Sequence, residues 1–225
     1  KQQQFTEADG VIDKAGVALR NPSLIANAVA ESVPLMGAGA VPARALLSVA
    51  PRVGAAGAGA IGEGVAGAGS AAEGIRQEST DGLLTATQAG LAGASGALTA
   101  GFGALGGKLA QRFGIADIDT ALAKGSAEVA AGANPKNFLR RGAEGAVSEG
   151  FLEELPQSLS EQALQNIALD KPVGEGMADA AVMGTLAGGV MGAGTGAAGG
   201  AALAMVPRMA PQESGIESWK NWKPF

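Results

Sequence analysis

Apolar residues recur at helical spacing along most of the chain, and no stretch alternates between apolar and polar residues as a strand would. Residues 1–33 place one set of apolar side chains on a single helical face: Val11, Ile12, Ala15, Ala18 and Leu19. Asn21-Pro22 interrupts this pattern, which resumes from Ser23 to Glu31. We therefore predict an all-α protein that begins with amphipathic helices over residues 1–33.

Residues 34–107 form a second, Gly/Ala-rich region. Pro34, Pro42 and Pro51 recur at its start, and because proline is disfavoured in the middle of a helix, they predict short helices or sharp bends. The tract 53–74 is dense in glycine and alanine. Such a tract is a poor helix in isolation, so packing or an apolar solvent has to hold it. The alternative for this tract is a flexible linker.

Two long stretches carry no charged residue, 82–107 and 180–207. They contain 26 and 28 residues, and about 20 helical residues suffice to cross the hydrocarbon core of a membrane. Both stretches are only weakly apolar, being mostly alanine, glycine and threonine. By length, each is a possible membrane span.

Residues 108–179 lie between these stretches and have a soluble, amphipathic character. One helical face gathers their apolar side chains: Leu152, Leu155, Leu159, Ala163 and Ile167, with Phe151 beside it. We predict a helical hairpin here that packs on itself or on a partner through this face. Pro156 falls within the pattern, so it either kinks one helix or opens a second at its first turn.

A glycine ladder is the sharpest motif in the chain. Residues four apart share one face of an α-helix, and this spacing holds for Gly184, Gly188, Gly192, Gly196 and Gly200. A face without side chains lets a second helix approach at close backbone distance. A shorter version, Gly93, Ala97 and Gly101, lies in the stretch 82–107. We predict that both are helix-packing faces, and that Gly192→Leu abolishes oligomers without loss of helix content.

Composition agrees with close helix packing and excludes several kinds of chemistry. The chain has 37 Gly and 49 Ala among 225 residues but only 6 Phe, 2 Trp and no Tyr, so bulky side chains cannot fill its core. A net charge of −5 argues against wrapping nucleic acid. Without Cys or His, thiolate chemistry and the commonest metal ligand are missing. The adjacent Glu153 and Glu154 point in different directions on a helix and do not form an acid/base pair. We predict no enzymatic activity, no metal and no cofactor.

The C-terminal segment 208–225 repeats aromatic residues every three positions. Trp219, Trp222 and Phe225 alternate with lysines, as at a membrane interface. A short amphipathic helix that docks on a neighbouring subunit is the alternative.

The segment 149–175, EGFLEELPQSLSEQALQNIALDKPVGE, resembles the internal virion proteins of short-tailed bacteriophages, in which a similar Glu-Glu-Leu-Pro-Gln-Ser stretch precedes a Gly/Ala/Met-rich helix. The resemblance extends over about residues 35–205. It implies a DNA-ejection protein that is stored in the virion and then forms an oligomeric conduit across the host periplasm and inner membrane. Its partners would be copies of itself, other ejected virion proteins, the host membrane or periplasm, and double-stranded DNA passing through a lumen without sequence-specific binding.

Two alternatives to the conduit stay open at this point. One is an internal core, scaffold or tape-measure protein that never enters lipid. The other is a segment of a pore-forming toxin. Detergent dependence separates the scaffold from the two membrane proteins, while ring stoichiometry and absence of toxicity separate the conduit from the toxin.

Overall fold

A computed structural model describes residues 1–113 and 138–198, and over these ranges it is all-helical. The prediction of an all-α protein is therefore confirmed. The helices are α1 (Gln2–Glu7), α2 (Gly10–Arg20), α3 (Pro22–Val49), α4 (Gly54–Glu78), α5 (Ala86–Phe113), α6 (Phe138–Ala146), α7 (Leu155–Ala168) and α8 (Met177–Ala198). A 3₁₀ turn, Pro51–Val53, joins α3 to α4, and a π-helical segment, Val147–Glu154, joins α6 to α7.

The break predicted at Asn21-Pro22 is confirmed, whereas the prediction that Pro34 and Pro42 separate short helices is wrong. Helix α2 ends at Arg20, and α3 begins at Pro22, where a missing amide hydrogen costs nothing. Helix α3 then continues for 28 residues through Pro34 and Pro42. It ends at Val49, and the 3₁₀ turn that begins with Pro51 leads into α4.

The Gly/Ala tract 53–74 is helical rather than a flexible linker, because neighbouring helices pack on both sides of it. Helix α4 crosses α3 at Gly62, where an added methyl group would lie 2.8 Å from Cβ of Ala43. It crosses α5 at Gly64, where a methyl group would lie 2.7 Å from Cβ of Ala100. Backbones in direct contact thus replace the large side chains that this tract lacks.

Helices α3, α4 and α5 follow one another as antiparallel neighbours, and the rod formed by α6, the π-helical segment and α7 packs against α5 and α8. Helix α8 also contacts α3 and α2. At one end, Phe5, Ala18, Leu24 and Val182 form a small apolar cluster. Beside it, the buried Lys14 bonds to the Phe5 carbonyl oxygen at 2.9 Å and to Asp179 at 2.6 Å, which ties the N-terminal helices to α8.

Within the predicted hairpin 108–179, residues 108–113 belong to α5 and residues 138–168 form this rod, whose antiparallel partner is α8. Pro156 lies in the first turn of α7, immediately after the π-helical segment, which matches the second of the two alternatives for this proline. The buried Asn166 holds the connection to α8, because its side-chain amide donates hydrogen bonds to the carbonyl oxygens of Val173 at 3.0 Å and Glu175 at 2.7 Å.

Candidate functional site: a buried polar cluster between the helices

The rod turns its polar side inward and part of its apolar side outward. Glu149, Glu153 and Gln157 are buried against neighbouring helices. Exposed fractions are 59% for Phe151, 40% for Leu152 and 48% for Ile167, although the sequence places them on the predicted packing face. The prediction that the chain packs on itself through this face is thus wrong for these three residues, and the alternative, packing on a partner, stays a prediction. Periodicity identified the two faces but could not tell which one faces the interior.

The π-helical segment brings the rod into direct backbone contact with α8. A methyl group at Gly150 would lie 2.7 Å from the carbonyl oxygen of Thr185 and 2.9 Å from the amide nitrogen of Gly189. π-Helical segments are rare and are often found at functional sites. Here the segment contains Glu149 and Glu153, two of the buried carboxylates.

The glycine ladder of α8 packs against the chain's own rod. Methyl groups added at Gly184, Gly188 and Gly192 would lie 2.8 Å from Cβ of Ser158, 2.8 Å from Cβ of Glu154 and 2.7 Å from Cβ of Glu149, respectively. The groove is therefore occupied within one molecule at these three positions. Gly196 lies in α8 but its surroundings are not described, and Gly200 lies outside the described residues.

The shorter ladder of α5 has a different environment. Gly93, Ala97 and Gly101 are exposed, and added methyl groups at Gly93 and Gly101 would meet no atom of the described residues within 4 Å. Gly96, on another face of the same helix, makes the close contact with α4. The C-terminal Trp219, Trp222 and Phe225 lie outside the described residues.

Glycines on α5 and α8 make room for the carboxylates of the rod. A methyl group at Gly106 would lie 2.7 Å from Cδ of Glu153, and one at Gly103 would lie 3.3 Å from Oε1 of Glu153. Glu154 instead reaches α8, where it packs on Gly188. The two adjacent glutamates thus face different helices, as their spacing predicts.

Two hydrogen bonds connect this cluster to α4 and α5. Nε2 of Gln157 donates to Oε1 of Glu63 at 2.6 Å, and the hydroxyl of Thr99 donates to Oε1 of Glu161 at 3.0 Å. Burial raises the pKa of Glu161, and the hydrogen bond from Thr99 opposes this shift only in part. Sequence reasoning missed these residues because their partners are 62 and 94 positions away along the chain.

A cavity of about 340 Å³ opens between α3, α4, α5, the rod and α8. Six carboxylates line it: Glu31, Glu63, Glu149, Glu153, Glu154 and Glu161. The aliphatic part of its wall includes Leu35, Met36, Met183 and Met191. Within residues 1–113 and 138–198, no group of three or more His, Cys, Asp or Glu side chains is arranged as a metal site. The cavity therefore combines an acidic wall with an apolar one.

The raised pKa of Glu161 predicts a pH-dependent stability. The folded protein holds this proton more tightly than the unfolded chain, so the free energy of unfolding falls as pH rises from the ordinary pKa of 4.5 towards the raised value. We expect Glu161→Gln to gain stability relative to the wild type between pH 4 and pH 7.5, because glutamine still accepts the Thr99 hydrogen bond but cannot ionise. Urea unfolding of both proteins across this range measures the difference between their free energies of unfolding. The other carboxylates titrate in both proteins, so their contributions cancel in this difference. A difference that stays constant with pH would contradict the prediction.

The described residues define a helical bundle with a small and polar interior. Its buried hydrophobic residues are mostly alanine, and four are larger: Phe5, Leu24, Ile75 and Val182. Eighteen large hydrophobic residues are exposed, from Val11 to Val190. The chain matches no protein-family model, no curated protein sequence and no solved structure.

Proposed function

We propose that this chain is a structural component of an oligomeric helical conduit that enters a membrane, of the kind that the resemblance to phage DNA-ejection proteins implies. The observation that carries the proposal is the inverted distribution of side chains. Within residues 1–113 and 138–198, four hydrophobic residues larger than alanine are buried and eighteen large hydrophobic residues are exposed, while serine, threonine, glutamine and glutamate side chains are also buried. Helices that associate in lipid pack through small and polar residues and turn apolar side chains outward.

Helix α3 is the element we propose to enter the membrane. Among the described helices it alone is both long and apolar enough to cross one, with a mean hydropathy of 1.4 over 18 residues. Only 11% of that stretch is fully buried within the molecule, and its exposed residues are available to lipid or to another subunit. Internal prolines such as Pro34 and Pro42 are also more common in membrane helices than in soluble ones.

Helix α3 is not one of the two stretches, 82–107 and 180–207, that the absence of charge suggests as membrane spans. The stretch 82–107 is free of charge, but α5, which contains most of it, is not apolar enough to meet the same criterion. The stretch 180–207 extends beyond the described residues. Absence of charge measures only part of the cost of insertion, because Gly and Thr contribute little favourable transfer energy, whereas α3 carries more Leu, Ile and Val.

Liposome flotation tests the proposal with a matched pair of variants. Val41 on α3 is 67% exposed and Ile12 on α2 is 87% exposed, so a charge at either position leaves the packing of the bundle intact. We expect Val41→Asp to reduce the carbonate-resistant, lipid-bound fraction strongly, because a charge in a membrane helix costs about 2.5–3.5 kcal/mol. Ile12→Asp should float like the wild type.

Imaging of the detergent-solubilised protein then examines the assembly, for which the proposal expects rings. If the wild type stays soluble and helical without lipid, the protein is better explained as a scaffold packed inside the virion. Equal flotation of Val41→Asp and the wild type would show that α3 is not the inserting helix.

A further inference from the structure

Helix α5 has one face that the described residues leave uncovered. Its opposite side, with the buried Ala92, Ser95 and Thr99, packs towards α4 and the rod. On the uncovered side, methyl groups added at Gly90 and Gly101 would meet no described atom within 4 Å. The other exposed residues of this α5 face are Gly93, Ala94, Ala97, Leu98, Leu105, Lys108 and Arg112. The face extends over about six helical turns, so a second helix can lie along it.

The two halves of the α5 face differ in side-chain size. From Gly90 to Ala97 it presents only glycine and alanine, whereas beyond Ala97 it presents Leu98 and Leu105, which are 42% and 56% exposed. A second copy that runs antiparallel lays its leucines on the glycine and alanine half of the first, and the same contact is repeated in return. A parallel copy opposes leucine to leucine. The face is therefore complementary to itself in the antiparallel direction.

The charges at the two ends of the α5 face favour the same direction. Asp81 precedes the glycine and alanine half, Lys108 and Arg112 end the leucine half, and no charged residue lies between Asp81 and Lys108. All three are exposed, and the ion pairs among the described residues involve none of them. An antiparallel copy brings the basic end of one subunit to the acidic end of the other, whereas a parallel copy brings like charges together.

Side-chain size and charge also place the centre of the contact at the same residue. The change from small to large side chains occurs at Ala97. Asp81 lies 16 positions before Ala97, and Arg112 lies 15 positions after it. A twofold axis close to Ala97 therefore aligns the leucines with the small residues and the basic ends with the acidic ends.

A protein helix fits this face better than lipid does. Helix α5 is not apolar enough to qualify as a membrane span, and glycine and alanine contribute little favourable energy of transfer into hydrocarbon. A helix that approaches a small-residue face instead gains van der Waals contact along the backbone. The chain already contains such a contact where Gly64 of α4 meets Gly96 of α5.

We propose that the α5 face binds the α5 face of a second copy of this chain, antiparallel and across a twofold axis near Ala97. The proposal rests on the oligomeric assembly proposed above and names a surface that two of its subunits share. Because a twofold contact closes after two copies, a ring requires a second, different contact between such pairs.

Oxidation of single-cysteine variants of the detergent-solubilised protein tests the orientation, since the sequence contains no cysteine. Ala97→Cys should form a disulfide-linked dimer, because its two copies face each other across the axis. Ala86→Cys is the matched control, three turns earlier on the same side of α5. In the antiparallel pair its two copies lie about 33 Å apart and should give at least tenfold less dimer. Equal crosslinking of the two variants, or none at Ala97→Cys, would overturn the proposal.

A charge exchange tests the pairing of the ends. Arg112→Glu should weaken dimerisation about tenfold in sedimentation equilibrium at low salt, because the twofold axis repeats the lost ion pair. Asp81→Arg in the same chain should restore the affinity to within about threefold. Arg20→Glu on α2 is the control, because it changes the net charge equally at another exposed position. If Arg112→Glu weakens dimerisation no more than Arg20→Glu, or if the double variant stays weak, the antiparallel pairing is wrong.

Liposome flotation of the Ala97→Cys protein separates this proposal from the proposed entry into a membrane. Crosslinked dimers that do not float support the α5 contact and contradict membrane entry. Carbonate-resistant flotation without crosslinked dimers overturns the α5 contact and leaves the assignment of α3 standing.

Discussion

Replacing Gly192 with alanine is expected to lower the free energy of unfolding by about 3 kcal/mol, the upper part of the usual range for overpacking. The added methyl group would overlap the carbonyl oxygen of Gly145 and lie 2.7 Å from Cβ of Glu149. A backbone carbonyl within a helix cannot rotate away as a flexible side chain can. Helix α8 would therefore have to move away from the rod, and the contacts on both sides of Gly192 would weaken.

Gly189→Ala is the matched control on the same helix. Among the described residues, a methyl group at Gly189 meets only the carbonyl oxygen of Ala146, at the ordinary distance of 3.7 Å. This variant should gain up to about 1 kcal/mol, because alanine is the better helix former. Urea unfolding monitored by circular dichroism compares the two variants with the wild type. Equal stability of Gly192→Ala and Gly189→Ala would show that α8 does not pack on the rod in this register.

This result also bears on the predicted effect of Gly192→Leu on oligomers. In the structure the groove at Gly192 is occupied by the chain's own rod. A loss of oligomers in that variant would therefore follow from disruption of the subunit, and a measurement of subunit stability has to accompany any sedimentation experiment.

Gly96→Ala should have the second largest effect and lower the free energy of unfolding by about 2–3 kcal/mol. At this position α5 crosses α4, and the added methyl group would overlap the carbonyl oxygen of Gly64 and lie 2.6 Å from Cβ of Ala68. Its control is Gly93→Ala, one turn earlier, where the added methyl group meets no atom from the described part of the chain within 4 Å. That variant should gain about 0.8–1 kcal/mol from helix propensity. Thermal and urea unfolding of both variants provide the comparison.

Substitution of Gly93 also tests whether the exposed small-residue face formed by Gly93, Ala97 and Gly101 packs against a second copy. Gly93→Leu should leave the subunit folded, since nothing in the described bundle occupies that space. If this face packs against a second copy, the leucine will change the sedimentation of the assembly. If Gly93→Ala destabilises the protein as much as Gly96→Ala, α4 and α5 do not cross at Gly96.

The exposed apolar residues and the buried carboxylates of the rod are the basis for proposing an assembled protein. Phe151, Leu152 and Val147 lie on the outer side of the rod while Glu149 and Glu153 lie inside it. In water such an arrangement leaves apolar area exposed without a compensating gain. It becomes favourable when lipid or another subunit covers the surface, which is why we propose an assembled, membrane-entering protein.

Several features follow from the sequence alone. The absence of strand-like alternation predicts helices, and the small residues at every fourth position of Gly184, Gly188 and Gly192 predict a face that a second helix can approach closely. The scarcity of aromatic residues excludes a core of large side chains. Each of these inferences is local, because it depends only on residues within a few turns of one helix.

The tertiary structure determines which helix faces pack against neighbouring helices and which faces are exposed. Gly93 and Gly96 belong to equally plausible small-residue faces of α5, yet only Gly96 contacts α4. Helix α3 continues through Pro34 and Pro42, although local propensity predicts breaks. The buried cluster joins Glu63 to Gln157 and Thr99 to Glu161 across long separations in sequence. Helical periodicity specifies which residues share a face, but only the packing of distant helices determines whether that face meets the interior or the surroundings.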